Sequence, residues 1–316
     1  MRKRLIALLL TLTSLSQTYA TTWDEPWANK VIKESTSFVL AKVLSNDHQK
    51  GTTIQIYKTL GGKALTGTLT ISDFYLLDIC SSSGGGPEFH IEPMDSCYFF
   101  INESTAGKYR IATPTTGFDY VAEGSVMATY RHSYHQASVP TSIYEKTMTA
   151  IFNNYHGLPF DQVFKQSFIE EYLSKKPAGF EDHEINTFFL QHVALESIHH
   201  LKLNVDVSLI LPFLKDKNNF HNQVSGARAM IVAKKPNDTE ALMHIVGDTS
   251  QRYFVQVMCV WTLKALNPKE LKQELQNLEK WASEESDDFG GNIMDPRVCT
   301  NIPTVKSALK DLIESL

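Results

Sequence analysis

Two different rhythms of apolar residues run along this chain, and one gives way to the other near residue 140. Before that point, short runs alternate at period two: Thr52-Thr53-Ile54-Gln55-Ile56-Tyr57, Thr66-Gly67-Thr68-Leu69-Thr70-Ile71 and Lys108-Tyr109-Arg110-Ile111. Such alternation marks a half-buried strand. Phe38-Val39-Leu40-Ala41-Lys42-Val43 is a short apolar run, and Cys97-Tyr98-Phe99-Phe100-Ile101 is apolar on both faces, as a central strand is. Turn residues separate the runs at Gly61-Gly62, at Gly84-Gly85-Gly86-Pro87, and at Pro114 with Gly117. Several short strands with regular turns, over roughly 100 residues, predict a small closed barrel or sandwich.

After Pro140 the apolar residues recur every three or four positions. Ile143, Met148, Ile151 and Phe152 predict a helix ending at His156-Gly157, and further helices are predicted over 161–173 and 182–203. Beyond them a longer period emerges. Asp206 and Asp238 are 32 residues apart, as are Asp216 and Asp248, and so are Pro236 and Pro268. A period of this size built from helix pairs predicts a stacked α-solenoid, in which each pair buries its apolar face on the next. An ordinary helical bundle is the alternative.

Two resemblances follow from these residues. The succession Phe-Val-Leu-Ala-Lys-Val, Ile-Gln-Ile-Tyr-Lys-Thr-Leu-Gly-Gly, Thr-Leu-Thr-Ile and Cys-Tyr-Phe-Phe-Ile-Asn resembles the netrin-like modules shared with tissue inhibitors of metalloproteinases, which are OB-type barrels. Those inhibitors act through a cysteine at the mature N-terminus, whereas this chain would begin Thr21-Thr22-Trp23, so their mechanism is not carried over. The segments 227–238 (Ala-Arg-Ala-Met-Ile-Val-Ala-Lys-Lys-Pro-Asn-Asp) and 259–270 (Cys-Val-Trp-Thr-Leu-Lys-Ala-Leu-Asn-Pro-Lys-Glu) resemble degenerate HEAT-type repeats. The expected fold class is thus α+β with two domains. A small OB-like β-barrel over 21–138 is followed by an all-α helical-repeat or bundle domain over 139–316.

The N-terminus changes the compartment. Arg2, Lys3 and Arg4 precede an apolar run over 5–12, and Thr18-Tyr19-Ala20 fits the small-x-small pattern of signal-peptide cleavage. Residues 1–20 read as an export signal, placing the protein in a periplasm or outside the cell. Loss of three leader cations takes the formal charge from −5 to −8. With no basic run, nucleic acid is a poor partner and another protein the better one. The apolar stretches are too short for a membrane span. Four cysteines, Cys80, Cys97, Cys259 and Cys299, in an exported chain suggest disulfides. Three connectivities are open, and pairing neighbours, Cys80–Cys97 and Cys259–Cys299, is the simplest.

Candidate chemistry is sparse, and no cofactor is called for. His192, Glu196, His199 and His200 lie on one predicted helix, and imidazoles beside a carboxylate can ligate a metal, although the H-E-x-x-H spacing is missing. Ile185, Phe189 and Val193 share that face, so half-buried, hydrogen-bonded histidines are the plainer reading. Arg131, His132, Tyr134 and His135 sit between the two parts, either as interface ligands or as a polar connection with aromatic anchors. The acidic run from Glu284 to Asp288 lacks the ligand order of an EF-hand and reads as a solvated loop. Residues 81–86 lack the Gly-Lys-Ser/Thr of a phosphate loop. The function expected is an exported, non-catalytic binding or scaffolding protein. A metal-dependent enzyme using the His192–His200 helix, and an inhibitor of an extracellular enzyme, are the rivals.

Overall fold

The computed structural model describes residues 27–47, 49–76, 91–114, 116–131, 136–233, 236–285 and 302–316. Residues 1–20, expected to be an export signal, Cys80, Cys299, His132, Tyr134, His135, the glycine loop 81–86 and most of the acidic run lie outside the described residues.

After a π-helical turn (Trp27–Ile32), eight strands form one sheet: β1 (Ser37–Asp47), β2 (Gly51–Gly62), β3 (Thr68–Phe74), β4 (Ser96–Thr105), β5 (Lys108–Ile111), β6 (Phe118–Ala122), β7 (Ser125–Thr129) and β8 (Gln136–Pro140). Their order is β1-β2-β3-β5-β4-β6-β7-β8, and a further β1–β4 pairing closes the first five into a barrel. All pairings are antiparallel except β3–β5. The branch point is β4. It bonds β1 along one edge through residues 96–101, while its other edge bonds β6 through residues 96–99 and β5 through residues 102–105.

Alternation decides which residues fill the barrel. Val39, Ala41, Val43, Ile54, Ile71, Cys97, Phe99, Ile101 and Ile111 point inward and form one fully buried cluster. The neighbouring positions Phe38, Tyr98 and Phe100 point outward, yet they are as fully buried. Helix α1 (Thr141–Tyr155) covers them. Phe38 stacks on Phe100 at 4.8 Å and on Phe152 at 6.0 Å, and Tyr98 meets Tyr144 at 4.7 Å. Gly61 permits this approach, since a Cβ there would stand 2.6 Å from the Phe152 ring.

The remaining helices are α2 (Gln162–Leu173), α3 (Ile185–Leu201), α4 (Leu211–Leu214), α5 (Phe220–Ala229), α6 (Pro236–Gly247), α7 (Tyr253–Leu266), α8 (Lys272–Glu279) and α9 (Val305–Ser315). They lie in two rows. The inner row runs α3–α5–α7–α9, each helix touching the next, and α2, α4, α6 and α8 form an outer row resting on α3, α5, α7 and α9 respectively. Helix α3 is buried on nearly every side, its polar residues Gln191, His192, Glu196 and His200 included. Gly226 lets α5 cross α4, since a Cβ there would meet the Leu214 nitrogen at 2.7 Å.

This architecture corrects the expected small barrel followed by an all-α domain. The sheet does not stop at the five-stranded barrel but adds three strands and runs on to Pro140, and the part after it mixes helices with 3-10 turns and irregular connections. One hydrophobic cluster extends from Phe38 and Val126 through α1, α3, α5 and α7 to Leu312. The reason is physical: the outward aromatics of β1 and β4 and the apolar face Val126, Ala128, Ala137, Val139 must be covered, and only the helices can cover them. The disulfide expectation is corrected too. Cys97 and Cys259 are buried free thiols, one inside the barrel and one within α7, and no disulfide joins described residues.

Candidate functional site

The residues singled out on α3 are brought together with Arg131, in the interior. Glu196 and Arg131 are wholly buried, and His192, His200 and Arg228 nearly so. The Glu196 carboxylate accepts from Nε of Arg228 on α5 at 2.8 Å and lies 3.6 Å from Nη1 of Arg131, just beyond β7. Nε2 of His200 is 3.9 Å from the same carboxylate but faces the Tyr130 carbonyl oxygen at 2.8 Å, while its Nδ1 meets the Tyr155 hydroxyl at 3.1 Å. Nδ1 of His192 lies 2.9 Å from Oγ of Ser225, a hydroxyl that also takes a hydrogen bond from Arg131 at 3.1 Å. His199 turns aside to the Arg228 carbonyl oxygen at 3.0 Å, and burial together with the Arg228 charge holds its pKa well below the ordinary range.

These contacts define what the cluster can do. Its one carboxylate is shared between two guanidiniums, so it is committed to charge compensation. The histidines diverge toward different carbonyls and hydroxyls, and among the described residues no group of three or more His, Cys, Asp or Glu is placed to hold a metal ion. The cluster is an interlock that ties the end of the sheet to α1, α3 and α5. Desolvation offsets much of the attraction in a buried pair, but removing one partner leaves the other charge uncompensated and is costly.

A second buried polar group was missed in the sequence. Asp119 on β6 is buried on the helix-facing side and accepts from the Tyr144 hydroxyl at 2.6 Å and the Thr129 backbone N–H at 2.9 Å. Burial lifts its pKa to about 7 against both hydrogen bonds. The only sequence signal was an acid at an inward position of an alternating run.

Open concave surface lies elsewhere, on the outer row of helices. Glu240, Met243, His244 and Gly247 recur at helical spacing along α6 and face Glu274, Asn277 and Leu278 of α8, with Trp281 just beyond, across a cleft of about 930 Å³. Trp281 is 87% exposed, the most exposed large apolar side chain among the described residues. Glu240 and His244 also border a second cleft of about 400 Å³ toward α4, which ends at Lys215 and Lys217. A third, of about 470 Å³, lies between β2, α1 and α2, where Lys146 and Lys165 flank the Phe164 ring at 4.6 and 4.4 Å. Burial lowers the Lys165 pKa to about 8. No helix among the described residues is long and apolar enough to cross a membrane. No family model matches the chain, and neither curated proteins nor solved structures give a significant match.

Proposed function

We propose that this chain is an exported, non-catalytic binding protein, and that it recognises another protein through the outer row of helices. One observation carries the reading: the exposed Trp281 stands at the edge of a large cleft whose floor includes Met243 and Leu278. Tryptophan is enriched among the residues that anchor interfaces, and here it stands beside a cleft with an apolar floor. The leader-like N-terminus supports export.

The test uses the full chain expressed with its own leader. N-terminal sequencing of the product outside the cytoplasm should start at Thr21. That product then serves as bait for envelope and extracellular fractions, beside a Trp281→Ala variant of unchanged melting temperature. A reproducible protein partner lost with Trp281→Ala supports the reading. An uncleaved cytoplasmic product, or a partner set indifferent to Trp281, refutes it.

A further inference from the structure

We infer that the cleft between α6 and α8 takes a cationic segment of a partner polypeptide, with a lysine or arginine side chain held against Trp281 between Glu240 and Glu274. The inference rests on the proposed binding role and names the chemistry of its partner. Three carboxylates, Glu240, Asp248 and Glu274, line the cleft, and no lysine or arginine does. Asp248 is already engaged: it bonds Lys217 at 2.7 Å, Ser250 at 2.6 Å and Gln251 at 3.0 Å, and Lys217 and its hydrogen bonds hold its pKa well below the ordinary carboxylate range. Glu240 and Glu274 have no ion-pair partner among the described residues. On the same rim, Lys280 donates to Oδ1 of Asn277 at 3.0 Å.

Polarity changes along the groove. Toward α4 the lining passes through Ala241 and Ile245 to Lys215 and Lys217, so a cation is favoured only at the Trp281 end. An indole face is the best natural partner for an ammonium or guanidinium, and an exposed one has its face available. The apolar floor asks for hydrophobic neighbours on the ligand, which a peptide supplies and a bare cation does not. The surplus of acid over base in the whole chain steers a cationic partner inward at long range.

Short labelled peptides of alternating lysine and leucine, glutamate and leucine, and serine and leucine would be titrated onto the exported full chain by fluorescence anisotropy at two salt concentrations. Only the lysine peptide should bind, and more weakly at high salt. Glu240→Gln with Glu274→Gln should weaken it about tenfold, and Trp281→Ala about fivefold or more. Equal binding of the serine peptide, still lost with Trp281→Ala, would overturn the charge selection and leave the binding role standing. Lysine-peptide binding unaffected by all three substitutions, or no binding of any peptide, would also overturn the inference. Sedimentation velocity covers the last rival: self-association abolished by Trp281→Ala would make a second copy the occupant.

Discussion

Replacing Asp119 by asparagine isolates the electrostatics of the joint between sheet and helices. The wild-type carboxyl is buried between Tyr144 and Thr129 with a pKa of about 7, against an ordinary value of 3.8. The folded state therefore retains a proton that the unfolded chain releases, and stability must fall as pH rises through this interval. The group's contribution is fully present below the unfolded value and lost once pH passes the folded one. A shift of about three units, at about 1.4 kcal/mol each, sets an upper limit near 4 kcal/mol between pH 4 and pH 8. Asparagine keeps an acceptor oxygen but has no charge, and its amide protons want a partner, at a cost of about 1–3 kcal/mol at any pH. Asp119→Asn should thus be the less stable protein at pH 4 and should regain ground steadily toward pH 8. Urea unfolding across that range measures it, and the difference between the two proteins cancels every other titrating group. Parallel pH profiles would refute the reasoning, because they would mean that the carboxyl is already ionised in the folded protein at pH 4.

Four further perturbations address the packing. Glu196→Ala removes the carboxylate that compensates Arg131 and Arg228 and should cost about 3–5 kcal/mol in urea unfolding; a loss under 1 kcal/mol would mean that the guanidiniums are compensated otherwise. Gly61→Ala drives a methyl into Phe152 and should cost about 1–3 kcal/mol, recovered in part by adding Phe152→Leu; no recovery would locate the damage in the backbone of β2. Gln256→Ala strips a donor from the carbonyls of Val246 and Asp248 and should lower stability by about 1–3 kcal/mol, measured the same way. Thiol labelling mapped by mass spectrometry should find Cys97 and Cys259 unreactive until the protein unfolds, since burial pushes both thiols up; native labelling of either would contradict their placement.

The parts of this fold that could be read in the chain were those set by near neighbours. Period-two alternation located β2 and β3, and the 32-residue spacing of Asp216 and Asp248 was a real regularity. Each aspartate accepts from the backbone N–H two residues on, at Asn218 and Ser250, and so shapes the turn between an outer and an inner helix. The same rhythm recurs in residues that the sequence did not advertise. Gln191 donates to Tyr172 and Lys176 carbonyls, Gln223 to Leu214, and Gln256 to Val246 and Asp248, each closing the end of the preceding outer helix from an inner one. Glutamine has no strong turn or cap preference, so its spacing carried no signal beforehand. What could not be read was pairing at long range. Arg131 looked like part of a polar connection because its carboxylate, Glu196, lies 65 residues away on another element. Nothing in the sequence around Trp281 sets it apart from a buried apolar residue, and only the packing shows that nothing in the described fold covers it.

The placement of charge explains why the two candidate regions differ in kind. Around Glu196, polar groups are drawn inward where the end of the sheet meets α1, α3 and α5, and they are buried there, so substitution should act through stability. Along α6 and α8 the sequence does the reverse: Glu240 and His244 on α6, and Trp281 just past α8, stand outward on a pair of helices already anchored by Leu242, Val246 and Leu275. Substitution of those outward residues removes no core contact and should leave melting temperature within about 1–2 °C of wild type, as exposed positions usually do. The two regions are therefore separable by experiment. Glu196→Gln should shift the melt, with peptide affinity unchanged in whatever fraction stays folded, whereas Glu240→Gln with Glu274→Gln should change affinity and leave the melt alone. If the interior substitution altered the affinity of the folded protein, the interlock and the groove would be energetically coupled, and the outer row could no longer be treated as a surface held passively in place.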